Sequence, residues 1–296
     1  MAEQRMNEQG MNGQRKPAWI RARVPSGETW RFVQGSLGRH GLNTVCDEAQ
    51  CPNKAECWGS GTAAFMIMGD VCTRACRFCA VATAREGKPL RKDEGGALAD
   101  AALELGLGYL VLTSVDRDDL PGRGAGHFAR CIAALKSRVR GIQVEALVPD
   151  YTQEELALFV PSPPDVLAHN VETVRSLQKV RDARAGFDKS LETLKAAKRL
   201  GMAVTKTSLL LGLGETEGEV LSAMDEIRGA GVDILVMGQY LRPSAAQIPV
   251  SEYLQPERFA FYGEEGRKRG FAAVISSPLA RTSYHAREAL GGVCAD

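Results

Sequence analysis

Beyond residue 62, short runs of leucine and β-branched residues alternate with segments in which apolar side chains recur every three or four positions. The first pattern is that of strands covered on both faces, the second that of helices with one apolar stripe. Their alternation predicts repeated strand–helix units around a parallel sheet. Six strands are expected, over Ala64–Gly69, Tyr109–Ser114, Ile142–Leu147, Val166–Asn170, Val204–Leu211 and Ile234–Met237. Helical stretches such as Gly96–Leu105, Phe128–Val139 and Ser190–Leu200 separate them. Right-handed crossovers would curl these units into a closed or nearly closed barrel, with functional groups gathered at the carboxyl ends of the strands. A seventh apolar run, Phe271–Ile275, follows a charged helical segment from Gln255 to Arg269, and pattern alone does not place it in the sheet.

The expected organisation is a barrel over 62–275, preceded by an extension at 17–61 that is rich in Trp, Pro, Gly and Cys and poor in periodicity, and followed by a C-terminal segment at 276–296. Residues 1–16, Gln- and Asn-rich, read as a disordered arm. At 296 residues and 44% hydrophobic content, the chain can bury the core that such a domain needs.

Charge and targeting narrow the function classes. Lys and Arg total 37 against 36 Asp and Glu, so no global field exists to grip nucleic acid or an anionic membrane. No apolar run approaches the roughly 20 residues of a membrane-spanning helix. The N-terminus lacks the apolar core of a signal peptide and carries Glu3 and Glu8, which a mitochondrial transit peptide avoids. The expectation is a cytoplasmic protein with neither nucleic acid nor membrane as partner. In a reducing compartment, eight cysteines point to metal or redox chemistry rather than disulfides. Six of them fall between Cys46 and Cys79, while Cys131 and Cys294 stand alone, one in a helical core position and one in the tail.

Cys72, Cys76 and Cys79 place three thiols in a loop directly after the first strand. Three thiolates on a short loop can hold three corners of a cubane cluster and leave the fourth iron open, whereas structural zinc normally takes four ligands. The alternative is a zinc site that borrows a distant ligand. With Phe78 just before the third cysteine, this spacing resembles the signature of the radical S-adenosylmethionine superfamily. That resemblance implies the superfamily's partial six-unit barrel and an S-adenosylmethionine bound at the open iron. Upstream, Cys46, Cys51 and Cys57 form a second trio that could likewise hold a cluster without filling it. Either a distant residue completes it or one corner stays open; a structural metal site is the alternative.

Two triplets in this order, together with Arg281-Thr282-Ser283-Tyr284, resemble the lipoyl synthase family over about residues 16–286. The family carries Arg-Ser-Ser-Tyr at the last motif. The resemblance implies two 4Fe-4S clusters, with Ser283 as fourth ligand of the Cys46/Cys51/Cys57 cluster and Thr282 as a possible substitute. It implies insertion of two sulfur atoms at C6 and C8 of a protein-bound octanoyl-lysine, the second cluster donating the sulfur. It further implies an octanoylated lipoyl-carrier domain as substrate, from a 2-oxoacid dehydrogenase E2 subunit or the glycine cleavage H protein. Flavodoxin or ferredoxin would supply electrons and cluster-assembly proteins the clusters. Cofactor contacts carried over by the same likeness are Phe78, Thr113 and Ser114 after the second strand, Asn170 and Glu172 after the fourth, and Gly212 and Gly214 after the fifth. Asn170 and Glu172, two apart on an extended chain, would project to one side. His169 reads as a packed, hydrogen-bonded histidine, and Gln239–Pro243 as a candidate tunnel wall. The rival enzyme is a two-cluster methylthiotransferase acting on RNA, which the missing basic domain disfavours. The rival from another class is a noncatalytic metal-binding scaffold.

Overall fold

The computed structural model describes residues 16–21, 26–60 and 63–293. Residues 1–15 of the arm expected at 1–16, the barrel's expected first residue Thr62 and the tail residue Cys294 lie outside the described residues. The chain runs through α1 (Glu28–His40), β1 (Asn43–Thr44), α2 (Val45–Glu48), α3 (Lys54–Gly59), β2 (Ala64–Ile67), β3 (Val71–Cys72) and β4 (Ala82–Thr83). It continues through α4 (Glu94–Glu104), β5 (Tyr109–Ser114), α5 (Ala125–Arg138), β6 (Gln143–Leu147), α6 (Gln153–Leu156), β7 (Val166–Ala168) and α7 (Phe187–Arg199). The last elements are β8 (Val204–Leu211), α8 (Glu217–Gly229), β9 (Ile234–Gln239), α9 (Pro256–Lys268), β10 (Ala273–Ser276) and α10 (Ala286–Val293).

Eight strands form one sheet in the order β1-β2-β5-β6-β7-β8-β9-β10, and all neighbours are parallel except β1 and β2. The six expected strands are there, and the run left unplaced, Phe271–Ile275, supplies β10 at the edge beside β9. The extension differs from its reading as aperiodic. Trp30, Val33 and Leu37 mark a helical stripe that Gly35 and Gly38 weaken, and α1 forms because its face packs beside α3 and α4. It stops at Gly41, whose φ of 59° lets its N–H reach back to the Leu37 and Gly38 carbonyls.

Alternation along the strands sorts the barrel into layers. On β8, Leu209 and Leu211 face outward with Leu235 and Met237 of β9. Val204 faces the interior with Val166 and Ile234, and this apolar cluster meets Ala289 and Leu290 of α10. One layer higher, Lys206 lies 2.9–3.0 Å from both Glu145 oxygens, the two side chains wholly buried, and Tyr109 donates to the same carboxylate at 2.7 Å. Above this pair, Ser208 and Leu210 open onto a cavity.

The C-terminal segment completes the wall. Ser277 N–H donates to the Met237 carbonyl, and Gln239 N–H to the Pro278 carbonyl. A Cβ on Gly238 would stand 2.0 Å from the Ala280 carbonyl oxygen, so glycine is what lets the returning chain lie against β9. Asn53 donates to the Leu279 carbonyl at 2.7 Å and Tyr284 to Glu56 at 2.9 Å, tying this segment to the extension.

The buried pair gives a stability prediction. Lys206→Met should destabilise the protein by about 3–5 kcal/mol, because it strands the Glu145 charge inside the barrel. Adding Glu145→Leu should recover most of the loss in a urea-unfolding comparison, and a single variant as stable as the parent would remove the pair from the account.

Candidate active site

The loop after β2 leaves the sheet through Met68 (φ 65°) and Gly69 (φ 90°), a left-handed turn that a methionine adopts only under constraint. That constraint is visible. Glu94 accepts the Met68 N–H at 3.1 Å and is itself held by His127 at 2.6 Å, while Arg117 donates to the Met68 carbonyl at 3.0 Å. Beyond the turn, Cys72, Cys76 and Cys79 follow within one loop whose start is braced by the short parallel pair of β3 and β4.

The loop is fastened to the residues after β5 and β6 and to the segments around Val180 and Gln247. Thr73 N–H donates to the Asp116 carbonyl at 2.9 Å. The Thr73 hydroxyl accepts from Asp118 N–H at 3.0 Å and donates to the Asp118 carboxylate at 2.9 Å. Arg74, only 4% exposed, sends Nε and Nη2 to Asp118 at 3.0 Å each and Nη2 to Asp150 at 2.8 Å. Ala75 N–H donates to Asp182, Arg77 N–H to the Val180 carbonyl, and Gln247 to the Cys79 carbonyl. Two sulfurs accept backbone amides: Cys72 from Arg74 N–H at 3.4 Å, and Cys76 from Asp182 N–H at 3.3 Å.

The electrostatics suit a bound cationic group. Burial pushes the thiols of Cys46, Cys72, Cys76 and Cys79 each up to about 11, so only a metal would hold them as thiolates near neutral pH. Asp150 is also buried, which opposes its charge, yet Arg74 holds it at about 2. Asp116, half-buried beside the loop, is pushed up to about 6 by desolvation in spite of Arg74. The same network that fixes the loop therefore concentrates charge around it.

Cys72, Cys76 and Cys79 face a cavity of about 620 Å³ over the carboxyl ends of the strands, and Cys46 and Cys51 line the same cavity. Ser283 and Thr282 stand in its wall, whereas Cys57, on α3, does not line it. Thr282 is engaged, its buried hydroxyl 3.1 Å from both Asn170 Oδ1 and Ser208 Oγ. Burial pushes the Arg281 guanidinium down, and a Cys51 thiolate would favour it.

Phe78, Thr113, Ser114, Asn170 and Glu172 all line the cavity. Thr113 donates its hydroxyl to the Leu147 carbonyl, but the buried Ser114 hydroxyl has no partner among the described residues. Asn170 and Glu172 come together by a different route from the one expected. Glu172 has a φ of 70°, so the chain is not extended there, and it bridges to Leu209 of β8. Burial raises the Glu172 carboxyl above its ordinary range. Of the expected cofactor contacts, Gly212 and Gly214 do not line the cavity. Gly212, with φ at 92°, packs so tightly that a Cβ would stand 2.1 Å from Gln239 and 2.3 Å from the Glu252 carbonyl oxygen, and Glu215 caps its N–H. Gly212 serves a packed turn, and Leu210 of β8 lines the cavity.

His169 sits as expected, bonded to the Val148 carbonyl and Ser190 Oγ at 2.8 Å each, its pKa lowered to about 4 by burial. Tyr240, Leu241, Arg242 and Pro243 line the cavity, while Gln239 is buried behind them. Sequence reasoning missed Arg74, Arg117 and Arg181. The alternation of acid and base in Asp116-Arg117-Asp118 beside an apolar strand was an available signal for the first two. Arg181 had none. Its buried guanidinium reaches Ser190 at 2.9 Å and lines the cavity, and its Nε has no partner among the described residues.

Comparison with known proteins places this geometry. The family profile described as Radical SAM superfamily matches residues 66–227. The chain is 52% identical over 278 residues to a lipoyl synthase of Anaeromyxobacter sp. (strain Fw109-5), covering 93% of this chain and 94% of that protein. It is 50% identical over 284 residues to a lipoyl synthase of Marinobacter nauticus, covering 95% and 82% of the two chains. Among solved structures, the FeFe-hydrogenase maturase HydG from Carboxydothermus hydrogenoformans superposes with a TM-score of 0.59 at 14% identity, covering 77% of this chain and 56% of that one, a likeness of fold alone.

The loop anchors predict that Arg74→Lys loosens the thiol loop, since an ammonium cannot span Asp118 and Asp150 as the planar fork does. Iron retained per chain after anaerobic reconstitution and gel filtration should fall well below the parent's, and proteolysis should cut within 73–79. Unchanged iron retention and protection would show that the network does not hold the loop.

Proposed function

The chain belongs to the lipoyl synthase family of radical S-adenosylmethionine enzymes, and from that premise we propose that its two thiol trios hold separate 4Fe-4S clusters, one for each half of the reaction. As a member of this family it inserts sulfur into a protein-bound octanoyl group, and a 4Fe-4S cluster and S-adenosylmethionine are its cofactors. We assign that cluster to Cys72, Cys76 and Cys79, and a second, auxiliary cluster to Cys46, Cys51, Cys57 and Ser283. The observation that carries the reading is the single cavity that both trios approach, with five of the six thiols in its wall.

The residues fit these groups. The thiols disfavour ionisation without a cation, amide N–H groups already point at two of the sulfurs, and unpartnered polar atoms of Ser114 and Arg181 border the same space. When bound, the first cluster and S-adenosylmethionine supply the one-electron C–S cleavage that starts hydrogen abstraction, and the auxiliary cluster supplies the sulfur. The chain's own part is placement. Arg181 is positioned for the methionine carboxylate and Ser114 for its ammonium; Asn170 and Glu172 suit the ribose hydroxyls or the ammonium, and Phe78 flanks the cofactor. Ser283 is the better candidate for the fourth auxiliary ligand, because the Thr282 hydroxyl is bound to Asn170 and Ser208. Leu147, Leu210, Val236 and Leu241 give the cavity apolar wall suited to an octanoyl chain and to keeping water from the reacting carbons.

The substrate is an octanoylated protein; we take it to be the lipoyl-carrier domain of a 2-oxoacid dehydrogenase E2 subunit or the glycine cleavage H protein. Sulfur enters at C6 and C8. Flavodoxin or ferredoxin is the proposed electron donor, and cluster-assembly proteins the source of replacement clusters. Seven cysteines are free among the described residues, and no helix there is long and apolar enough to cross a membrane. We place the chain in the cytoplasm, a reducing compartment that would keep such thiols available. The extension at 17–61, the barrel at 62–275 and the segment at 276–296 are proposed as parts of one catalytic unit.

Cys57→Ala tests the division of labour. The parent should take up about eight irons per chain on anaerobic reconstitution and the variant about four. The variant should still form 5′-deoxyadenosine under reductant and give no lipoyl product. Uptake of zinc in place of iron, or sulfur insertion by the variant, would sink the proposal.

A further inference from the structure

We propose that Thr282 is a positioning residue for S-adenosylmethionine: its hydroxyl fixes the side-chain amide of Asn170, so the C-terminal motif acts on the cofactor as well as on the auxiliary cluster. This rests on the reading that Asn170 and Glu172 contact the cofactor. It gives a role to the threonine that stands where the family carries serine.

The backbone around Asn170 is stitched to β8. His169 N–H donates to the Lys206 carbonyl at 3.0 Å, Glu172 N–H donates to the Ser208 carbonyl at 3.1 Å, and the Glu172 carbonyl accepts from Leu210 N–H at 2.7 Å. Between them, the Thr207 hydroxyl accepts from Val171 N–H at 3.1 Å and donates to the His169 carbonyl at 2.7 Å. What these bonds leave open is the side-chain torsion of Asn170. A primary amide turned over by half a rotation offers the cavity an acceptor in place of donors, so this torsion decides what the residue can recognise.

Thr282 closes that freedom from the segment after β10. Its hydroxyl lies 3.1 Å from Asn170 Oδ1 and 3.1 Å from Ser208 Oγ. A hydroxyl has one proton, and Oδ1 can only accept, so Thr282 donates to Asn170 and accepts from Ser208. The Asn170 amide in turn donates to the Glu172 carboxylate; burial raises that carboxyl, while the Arg181 charge and this bond pull the other way. Three donations thus run in one direction, from Ser208 through Thr282 and Asn170 to Glu172, and each strengthens the next. All four residues line the cavity. With Oδ1 turned to Thr282 and one N–H to Glu172, Asn170 keeps an N–H for the cavity, which fits a ribose or carboxylate oxygen. Glu172 keeps acceptor positions, which fit an ammonium or a ribose hydroxyl. Threonine suits this post better than serine, because its β-branch narrows χ1 and holds the hydroxyl in place. The site is buried, so losing the hydroxyl would leave Asn170 Oδ1 and Ser208 Oγ each short of a partner.

The test measures S-adenosylmethionine binding to anaerobically reconstituted protein by calorimetry, without reductant, so that no turnover contributes. Thr282→Val, which keeps the shape and removes the hydroxyl, should bind about tenfold more weakly than the parent. Thr282→Ser should stay within about threefold of the parent. Because Thr282 acts through Asn170, the double variant Thr282→Val/Asn170→Ala should bind within about twofold of Asn170→Ala, a saturation that general loosening of the fold would not produce. Iron uptake by Thr282→Val should match the parent's, at about eight per chain. Losses that multiply in the double variant would overturn the proposal, as would a serine variant as weak as the valine one. Loss of half the iron in Thr282→Val would also overturn it, by making Thr282 a cluster ligand. An Asn170→Ala variant that binds as tightly as the parent would instead refute the assignment of Asn170 to the cofactor, on which the proposal rests.

Discussion

A guanidinium enclosed by three carboxylates fixes the position of the thiol loop. Arg74 lies inside that loop, yet its partners Asp116, Asp118 and Asp150 come from the ends of β5 and β6. Removing an arginine from water is expensive unless every N–H finds an acceptor, so the arrangement tolerates little displacement of either side. Position is what chemistry at an open iron demands, because cofactor and substrate must meet within van der Waals reach. The loop thereby inherits the rigidity of the parallel sheet, and Arg117 extends the same logic to the turn at Met68 and to the Lys88 carbonyl.

The barrel below supplies that rigidity by stacking unlike layers. An apolar layer against α10, an ion pair at Lys206 and Glu145, and a polar mouth at Ser208 and Asn170 succeed one another along the strands. The C-terminal segment touches all of them or their neighbours, since Thr282 reaches the mouth while Leu290 reaches the bottom layer. This is how a motif more than two hundred residues from Cys57 is brought to the same cavity wall as Cys46 and Cys51. Its placement depends on Gly238, where any side chain would collide with the Ala280 carbonyl.

What was legible in the sequence was what local spacing encodes. β5 and β8 appear at the expected residues, and the two thiol trios that spacing singled out approach one cavity. Contacts between distant residues were not legible: Arg74 meets Asp150 across 76 positions, and no periodicity announces such a pair. β1 is two residues long and owes its pairing to β2, and α1 owes its helix to its neighbours more than to a sequence containing Gly35 and Gly38. A glycine after a strand serves a packed turn as readily as a flat cofactor face, so spacing alone did not reveal the close packing at Gly212. The Asn170 and Glu172 reading assumed an extended chain, whereas Glu172 has a positive φ, and both residues line the cavity.

On the reading proposed above, two clusters face one cavity and only one of them binds S-adenosylmethionine. Mössbauer spectra of protein reconstituted with isotopically enriched iron, recorded before and after adding S-adenosylmethionine, test it most directly. The account predicts two cubane clusters, with one iron of the Cys72/Cys76/Cys79 cluster shifting on addition and the other cluster unchanged. A single cluster, or a response shared equally by both, would contradict it.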